Sequence, residues 1–374
     1  MKKRRILQFT IAATKGGRTQ YILNNWKNIN KKEFQFDFVT FSSYLDFAEE
    51  LKKQGCKIFY LSCYPEQNKE LFHEEFGKIL ENGYDTIHIH TSYWVGTMVE
   101  EKAREYNIKQ IIIHSHSTGL SKVSTKKEYI SGLKKHYEIR DCLNEDIATD
   151  FLACSDKAAD WIFGNSIPKN RIKILHNAID AKRFTFSEGR RKEIRNRLDI
   201  AGNFVLGHIG RMVYAKNHEF LVDLLSYVYP KIPEVVLVLV GDGELREKIE
   251  QQVKETDLQN KVLFLGKRDD VEDILQAIDV FLLPSRFEGL PISAIEAQAT
   301  GLPCILSDLV TEEVKITALV NHEPLIISRW VERIMSIYAQ GTVERKSMHA
   351  EVERAGFDMK DYVQELEQIY SRVL

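Results

Sequence analysis

The sequence predicts an α/β protein made of two doubly wound parallel-sheet domains, and three observations lead to this class. Short apolar runs alternate with helical patterns along almost the whole chain, as in sheets that helices cover on both faces. The chain has 374 residues, which is long enough for two domains. A polar and charged segment, 178–203, interrupts the strand pattern and is interpreted as the junction between the domains.

The apolar runs predict where the strands lie. In the first half they are Ile6–Ile11, Phe36–Phe41, Lys57–Leu61, Thr86–His90, Ile111–His114, Phe151–Cys154 and Ile172–Leu175. In the second half they are Phe204–Ile209, Val235–Val240, Val262–Leu265, Val280–Leu283 and Cys304–Leu306. Helical patterns separate them, for example at Lys69–Glu81, Glu219–Tyr229 and Val271–Ala277. The predicted domains are 1–178 and 179–357, followed by a helical apolar pattern at 358–374.

Composition and charge exclude several classes of protein. Hydrophobic residues make up 44% of the chain, and the formal net charge is −2, so nothing attracts the whole molecule to nucleic acid. No apolar run approaches the ~18–20 residues that cross a bilayer. The 5 cysteines are odd in number and lack paired metal spacing, which favours a reducing compartment. We therefore expect a cytoplasmic protein.

Ligands of parallel sheets bind beyond the carboxyl ends of the strands, so the loops that follow the strands are candidate site segments. Two domains that each present such an edge are expected to face one another across a cleft. These loops are Ala12–Arg18, His90–Tyr93, His114–Gly119, Gly210–Lys216, Gly241–Glu244, Gly266–Asp269 and Pro284–Leu290.

The segment 285–303 carries two acids around a predicted helix start. Glu288 precedes the start and Glu296 lies inside the helix, with Gly289-Leu290-Pro291 between them at the predicted start. A helix start offers unpaired N–H groups and a positive dipole end, which suit a diphosphate. Carboxylates beside it can accept hydrogen bonds from sugar or ribose hydroxyls. The alternative is an ordinary strand-to-helix turn with a solvated Glu288.

Two cations, Arg211 and Lys216, lie in the loop between a predicted strand and the next helix. Arginine can grip a phosphate through two hydrogen bonds, and lysine adds a compact charge. Taken alone, this loop could instead be a basic loop whose two cations are solvated and bind no ligand. The nearby acids and helix start favour an anionic ligand with hydroxyl groups.

Together these motifs resemble the retaining, family-4 glycosyltransferases of the GT-B fold, and among them the bacterial exopolysaccharide and capsule transferases. The resemblance covers nearly the whole chain and depends on the order of the motifs. They are Glu-x7-Glu at Glu288 and Glu296, Arg-x4-Lys at Arg211 and Lys216, the glycine loop Lys15-Gly16-Gly17, the segment 176–180, and the glycines at 241–244 and 265–266. The chain departs from the family after Ser307-Asp308, where the usual glycine-rich turn is missing.

The resemblance implies a role for each matching residue. Arg211 and Lys216 would bind the diphosphate, and Glu288 with the Gly289–Leu290 backbone would hold the donor sugar and distal phosphate. Glu296 would bind the ribose hydroxyls, and Gly266 would border the base. Gly16 and Gly17 would let the first domain approach the diphosphate. The first domain would receive the acceptor, and the helix at 358–374 would return to it.

Histidines form a second group of candidates. His116 matches the family's histidine near the donor sugar, and its neutral imidazole could bond a sugar hydroxyl; a structural histidine is the alternative. His88 and His90 alternate on one predicted strand, but no carboxylate accompanies them at ligand spacing, so we expect no metal there. No clear Asp-x-Asp is present either, so the resemblance implies a metal-independent reaction that needs no cofactor.

A basic stretch, Lys122–Arg140, follows His116. We expect it to contact an anionic acceptor or the inner face of the cell membrane, or else to be a solvated helix face.

The predicted function is transfer of a sugar from a nucleotide-sugar, UDP-linked, to a saccharide or lipid-linked acceptor in bacterial surface polysaccharide synthesis. Two alternatives stay open: a nucleotide-sugar epimerase or hydrolase on the same scaffold, and a non-catalytic GT-B partner subunit.

Overall fold

The fold comes from a computed structural model that describes residues 3–14, 16–120, 126–341 and 344–372. Lys15 of the predicted glycine loop, residues 122–125 of the basic stretch and the tail residues 373–374 lie outside the described residues. The chain divides into two compact units, Met1–Asn177 with Lys360–Leu374, and Ala178–Met359.

Each unit is built on one parallel sheet, as the sequence predicts. The first sheet has 7 strands in the order β3-β2-β1-β4-β5-β6-β7, and the second has 6 in the order β10-β9-β8-β11-β12-β13. The strands of the first sheet are β1 (Arg4–Phe9), β2 (Phe34–Thr40), β3 (Ile58–Tyr60), β4 (Thr86–Thr91), β5 (Gln110–Ser115), β6 (Asp150–Ala153) and β7 (Ile172–Ile174). Those of the second are β8 (Phe204–Ile209), β9 (Val235–Val240), β10 (Val262–Gly266), β11 (Val280–Leu283), β12 (Cys304–Ser307) and β13 (Val320–Glu323).

Helices connect the strands, so each sheet is doubly wound. In the first unit they are α1 (Gly17–Asn28), α2 (Ala48–Lys53), α3 (Lys69–Leu80), α4 (Met98–Glu105), α5 (Lys126–Asp141) and α6 (Asp156–Phe163). The rest are α7 (Glu188–Arg197), α8 (His218–Val228), α9 (Arg246–Glu255), α10 (Val271–Ala277), α11 (Ile292–Ala299), α12 (Ile327–Ala339), α13 (His349–Val352) and α14 (Met359–Tyr370). Among the described residues, no helix combines the length and apolar character needed to cross a membrane.

The second sheet contains one strand that the sequence analysis missed. The strands β8, β9 and β11 match their predicted bounds at both ends, and β9 and β11 are continuous apolar runs. In contrast, β13 has the polar sequence Val-Asn-His-Glu, and its two middle residues are only partly buried. It lies at the edge of the sheet, where a strand needs no continuous apolar sequence because one side has no partner strand.

Candidate active site

The carboxyl edge of the second sheet is tightly joined by backbone hydrogen bonds. Gly210 N–H donates to the Val240 carbonyl at 2.9 Å, and Gly241 N–H donates to the Gly266 carbonyl at 2.8 Å. Glycine is required at Gly241 because its φ is 128° and an added Cβ would lie 2.0 Å from the Gly210 carbonyl oxygen. The ends of β8, β9 and β10 are therefore fixed relative to each other. Gly266, with a φ of 63°, ends β10 at this edge.

The loop after β8 presents the two predicted cations. Arg211 is exposed, and its side chain forms no hydrogen bond or ion pair within the described part of the chain. Tyr214–Lys216 form a 3-10 turn, and Asn217 adopts a left-handed conformation (φ 56°) from which α8 begins. Arg286 N–H donates to the Ala215 carbonyl at 2.8 Å, so this loop is joined to the loop after β11.

An ion pair joins a predicted cation to a predicted acid. Lys216 Nζ lies 2.5 Å from Glu288 Oε1, and both side chains are mostly buried. Ser285 Oγ donates to the same carboxylate oxygen at 2.7 Å. The sequence placed Lys216 and Glu288 in one site but did not predict their contact or the role of Ser285. Ser285 lies three residues before Glu288 in the same strand-end loop, and this spacing could have indicated that its hydroxyl bonds the Glu288 carboxylate.

The helix start behind Glu288 lies where the sequence predicts it. Gly289 and Leu290 are buried, and α11 begins at Ile292 after Pro291, which provides no side-chain cap. The first N–H groups of the helix and its dipole give this end a positive potential. Lys216 and this helix end together favour an anionic group beside Glu288.

Glu296 lies within α11 in a different environment from Glu288. Burial, together with the nearby Glu272 carboxylate, raises the pKa of its carboxyl to about 7. Arg183 opposes this shift, but its guanidinium is hydrogen-bonded to Glu272 at 2.6 Å. Glu296 therefore changes charge near neutral pH, and as a carboxylate it can accept hydrogen bonds from hydroxyl groups.

Three of the predicted site residues lie in the first unit. Gly17 is the exposed first residue of α1, and Gly16 is its N-cap residue. A Cβ added at Gly17 would meet no atom within 4 Å. His116 directly follows β5 and is half-buried. These residues lie at the carboxyl ends of β1 and β5, as a site at this sheet edge requires.

His116 is a neutral imidazole with one histidine partner. Burial, together with the nearby His114, Arg18 and His88, holds its pKa well below the ordinary value. Its Nε2 lies 2.9 Å from Nδ1 of His90. The sequence analysis considered His90 only as a doubtful metal ligand. The alternating histidines of β4 and β5 were the available signal, because alternate residues of a strand share one face.

The structure corrects the predicted basic stretch at one residue. His136 lies in α5 but is buried, where its Nδ1 accepts a hydrogen bond from Trp94 N–H at 3.0 Å. Burial lowers its pKa to about 4, so it adds no positive charge at pH 7. The exposed face of α5 instead carries lysines and two apolar side chains, Ile130 and Tyr137.

Comparisons with known proteins agree with this architecture. The model of the Glycosyltransferase Family 4 matches residues 15–183, and that of Glycosyl transferases group 1 matches residues 190–320. EpsF of Bacillus subtilis (strain 168) is 31% identical over 379 residues, which cover 99% of this chain and 97% of that protein. The UDP-Gal:alpha-D-GlcNAc-diphosphoundecaprenol alpha-1,3-galactosyltransferase of Escherichia coli is 32% identical over 60% of this chain and 58% of its own.

Solved structures show the same fold at low sequence identity. Anabaena Alr3699/HepE in complex with UDP-glucose has a TM-score of 0.76 at 18% identity, covering 98% of this chain and 99% of its own. WaaG, a glycosyltransferase involved in lipopolysaccharide biosynthesis, has a TM-score of 0.71 at 15% identity, covering 98% of this chain and 100% of its own.

Two parallel-sheet units with an acid-and-cation edge define a sugar-transferring enzyme of the GT-B class. The chain belongs to the family-4-type GT-B glycosyltransferases, which confirms the predicted family and fold class. The epimerase, hydrolase and non-catalytic alternatives are not favoured, because the family models and the named relatives describe glycosyltransferases.

Proposed function

We propose that the protein transfers a sugar from a UDP-linked donor to a saccharide or lipid-linked saccharide, with retention of anomeric configuration and without a metal ion. The observation that carries this proposal is the contact of Lys216 with Glu288 beside the start of α11. One small region thus offers a cation and a helix end for a diphosphate, and a carboxylate for a sugar.

The second unit would bind the donor. Arg211 and Lys216 neutralise the diphosphate, and the start of α11 at Gly289 and Leu290 binds the distal phosphate. Glu288 holds the donor sugar, Glu296 accepts hydrogen bonds from the ribose hydroxyls, and Gly266 borders the base. The positive charges of this edge stabilise the leaving diphosphate, which is the task that a metal ion performs in other transferases.

The candidate residues of the first unit have proposed roles of their own. Gly16 and Gly17 present backbone at the start of α1, where an exposed glycine without neighbours leaves room for a phosphate group. His116, as a neutral ring, bonds a hydroxyl of the donor sugar. In the retaining reaction, the acceptor oxygen attacks the face from which the diphosphate leaves. The leaving phosphate oxygen takes the acceptor proton, so no protein side chain forms a bond to the sugar.

Three named proteins support the choice of donor and pathway. The Escherichia coli relative carries UDP-Gal and a diphosphoundecaprenol acceptor in its name, and Anabaena HepE was solved with UDP-glucose. A role in bacterial surface or extracellular polysaccharide synthesis also fits the lipopolysaccharide mannosyltransferase LpsB of Rhizobium meliloti, which is 30% identical over 41% of this chain.

Nucleotide binding and turnover test the proposal. We expect UDP to raise the melting temperature more than GDP, ADP or CMP, because a ligand that binds only the folded state stabilises it. Lys216→Ala and Glu288→Ala should each lose on the order of 100-fold in activity. Lys254→Ala and Glu255→Ala, exposed at the end of α9, are the matched controls and should retain it. Near-wild-type turnover of both site variants would refute the assignment.

We also propose that α5 touches an anionic membrane or acceptor. An open depression on this helix is lined by Lys127, Ile130, Ser131 and Lys134, so charge and an exposed apolar side chain share one surface. Co-sedimentation with phosphatidylglycerol vesicles at low salt should be lost in a Lys127→Glu/Lys134→Glu variant. Absence of wild-type binding would exclude the membrane version.

A further inference from the structure

Four histidines of the first unit share one face of two neighbouring strands. His88 and His90 alternate on β4, His114 lies on β5, and His116 follows directly after it. His90 and His114 are paired in the sheet register. His88, His90 and His114 are buried, and His116 is half-buried at the carboxyl end of the strand. Ring nitrogens buried in this way depend on hydrogen-bond partners within the protein.

A buried glutamine connects the histidines in two branches. Gln8 of β1 places its Oε1 2.7 Å from His90 Nε2, and its Nε2 donates to the Tyr370 hydroxyl at 3.2 Å. The first branch continues from His90 Nδ1 to His116 Nε2 at 2.9 Å. The second continues from the Tyr370 hydroxyl to His88 Nδ1 at 2.7 Å.

The hydrogen-bonding chemistry of the glutamine fixes the protons in the first branch. A carboxamide oxygen can only accept, so His90 must carry its proton on Nε2. Burial and the neighbouring histidines hold the pKa of His90 well below its ordinary value, so the ring is neutral and its Nδ1 is an acceptor. The remaining contact then requires a proton on His116 Nε2. We infer that Gln8 and His90 are positioning residues that hold His116 as the Nε2–H tautomer, with Nδ1 left as a hydrogen-bond acceptor.

The second branch follows from the same amide orientation. The Tyr370 hydroxyl oxygen accepts a hydrogen bond from the Gln8 amide N–H, and its own O–H can donate to His88 Nδ1. His88 then carries its proton on Nε2, which lies 3.2 Å from His114 Nδ1. Every hydrogen bond has one donor and one acceptor. Reversing the Gln8 amide would reverse both branches, so this single side chain sets the tautomer of His116.

A metal ion is the competing explanation for the cluster. Nitrogens of His88, His90 and His114 lie within 4.8 Å of one another, a grouping that could hold an ion. However, both nitrogens of His88 and His90 already have hydrogen-bond partners, and only His114 Nε2 lacks one. A metal requires lone pairs that converge on one point about 2.0–2.1 Å away. Here nitrogens of neighbouring rings point at each other instead.

The tautomer has a consequence for the reaction, which rests on the proposed function. His116 Nδ1 has no hydrogen-bond partner within the part of the chain that the structure describes, so it is open to a ligand. As an acceptor it can receive a hydrogen bond from a sugar hydroxyl, but it cannot donate a proton to the leaving phosphate. His116 would therefore orient the donor sugar rather than act as an acid.

Nitrogen NMR of protein labelled with 15N-histidine tests the tautomer directly. Long-range proton–nitrogen spectra distinguish protonated from unprotonated ring nitrogens, and a His116→Asn variant identifies the signals of that residue. We expect a protonated Nε2 and an unprotonated Nδ1 at pH 7 in the intact protein. A protonated Nδ1, an imidazolium or stoichiometric bound zinc would overturn the inference. This measurement needs no activity, so it stands apart from the test of the proposed function.

Substitution tests the positioning role. Gln8→Met should mix the two tautomers of His116, and His90→Phe should do the same by a different route. Gln110→Met is the matched control, because Gln110 is also buried and bonded to α14, through the Ile369 carbonyl at 2.9 Å, but contacts no ring of the cluster. An unchanged tautomer in both test variants would overturn the role of Gln8 and His90.

The kinetic expectation separates sugar binding from nucleotide binding. In Gln8→Met, kcat/KM for the nucleotide-sugar should fall about tenfold, the lower end of the loss seen when residues that orient metal-bound histidines are changed. The Kd of free UDP should stay unchanged, because His116 is assigned to the sugar. A variant with mixed tautomers but wild-type kcat/KM would refute the positioning role, whereas the absence of transfer by the intact protein would refute the proposed function.

Discussion

Glu288 and Glu296 show how one residue type acquires two chemical characters in a single segment. Glu288 accepts from Lys216 and Ser285, at 2.5 and 2.7 Å, so its charge is balanced before any ligand arrives. Glu296 is half-buried in α11 beside a second acid, and desolvation of its carboxyl raises its pKa to about 7. The sequence could assign both to one site, because their spacing spans a helix start. It could not predict the raised pKa of Glu296, which depends on burial and on Glu272 of a separate helix.

Glu296→Gln should stabilise the second unit at high pH. The folded pKa of about 7 lies above the ordinary 4.5, so the buried carboxyl contributes stability below pH 4.5 that is lost as the pH rises through 7. Glutamine carries no charge and avoids this loss. The free energy of unfolding should therefore increase by about 1–3 kcal/mol relative to wild type at pH 8, and little at pH 5.

Native-state hydrogen exchange of peptides from β11 and α11, at both pH values, measures this effect. Glu255→Gln, an exposed carboxyl on α9, is the control and should show no pH-dependent difference. A stability difference between Glu296→Gln and wild type that stays constant from pH 5 to pH 8 would contradict the assigned environment.

At the scale of elements, the active-site edge depends on how closely strand ends approach. The end of β9 contacts the backbone after β8 so closely that Gly241 has no room for a side chain. Gly243 is similarly confined, since an added Cβ would lie 2.5 Å from the Met212 carbonyl oxygen. These contacts fix the loop that carries Arg211 and Lys216, and thereby the position of the cations.

Gly241→Ala should displace that loop and weaken nucleotide binding. Its φ of 128° and the 2.0 Å approach to the Gly210 oxygen leave no unstrained position for a methyl group. We expect a loss of about 2–4 kcal/mol in stability and a large loss of UDP affinity. Gly202→Ala is the control, because its added Cβ would meet nothing within 4 Å. Thermal unfolding measures the loss of stability, and UDP titration measures the loss of affinity. Wild-type UDP affinity in Gly241→Ala would refute the close approach of the two backbones.

The elements also show which parts of the structure a sequence can predict. The bounds of β9 and β11 follow from uninterrupted apolar runs, since both faces of these strands are covered. β13 escaped prediction because an edge strand can be polar. The histidine network escaped for another reason: Gln8 and Tyr370 are bonded although 362 positions separate them. Only the sheet order and the return of α14 bring such residues together.

At the scale of the whole molecule, the chain returns to its starting unit. From Lys360 onward, α14 belongs to the first unit, although Ala178–Met359 form the second. Tyr362, Leu366, Ile369 and Tyr370 of this helix are buried. Arg4 Nη1 donates to the Tyr370 carbonyl at 3.1 Å, so the last helix is bonded to the first strand. The first unit therefore needs both ends of the chain for its core.

A pair of core substitutions tests this organisation. Leu366→Ala in α14 and Ile334→Ala in α12 each remove a fully buried aliphatic side chain and should cost about 2–5 kcal/mol. Because each side chain packs in the core of its own unit, hydrogen exchange should accelerate in β1, β2 and β4 for Leu366→Ala. For Ile334→Ala, hydrogen exchange should accelerate in β8, β9 and β11. Each variant is therefore the matched control of the other. If Leu366→Ala exposed β8 and β9 as strongly as β1, α14 would not belong to the first unit alone.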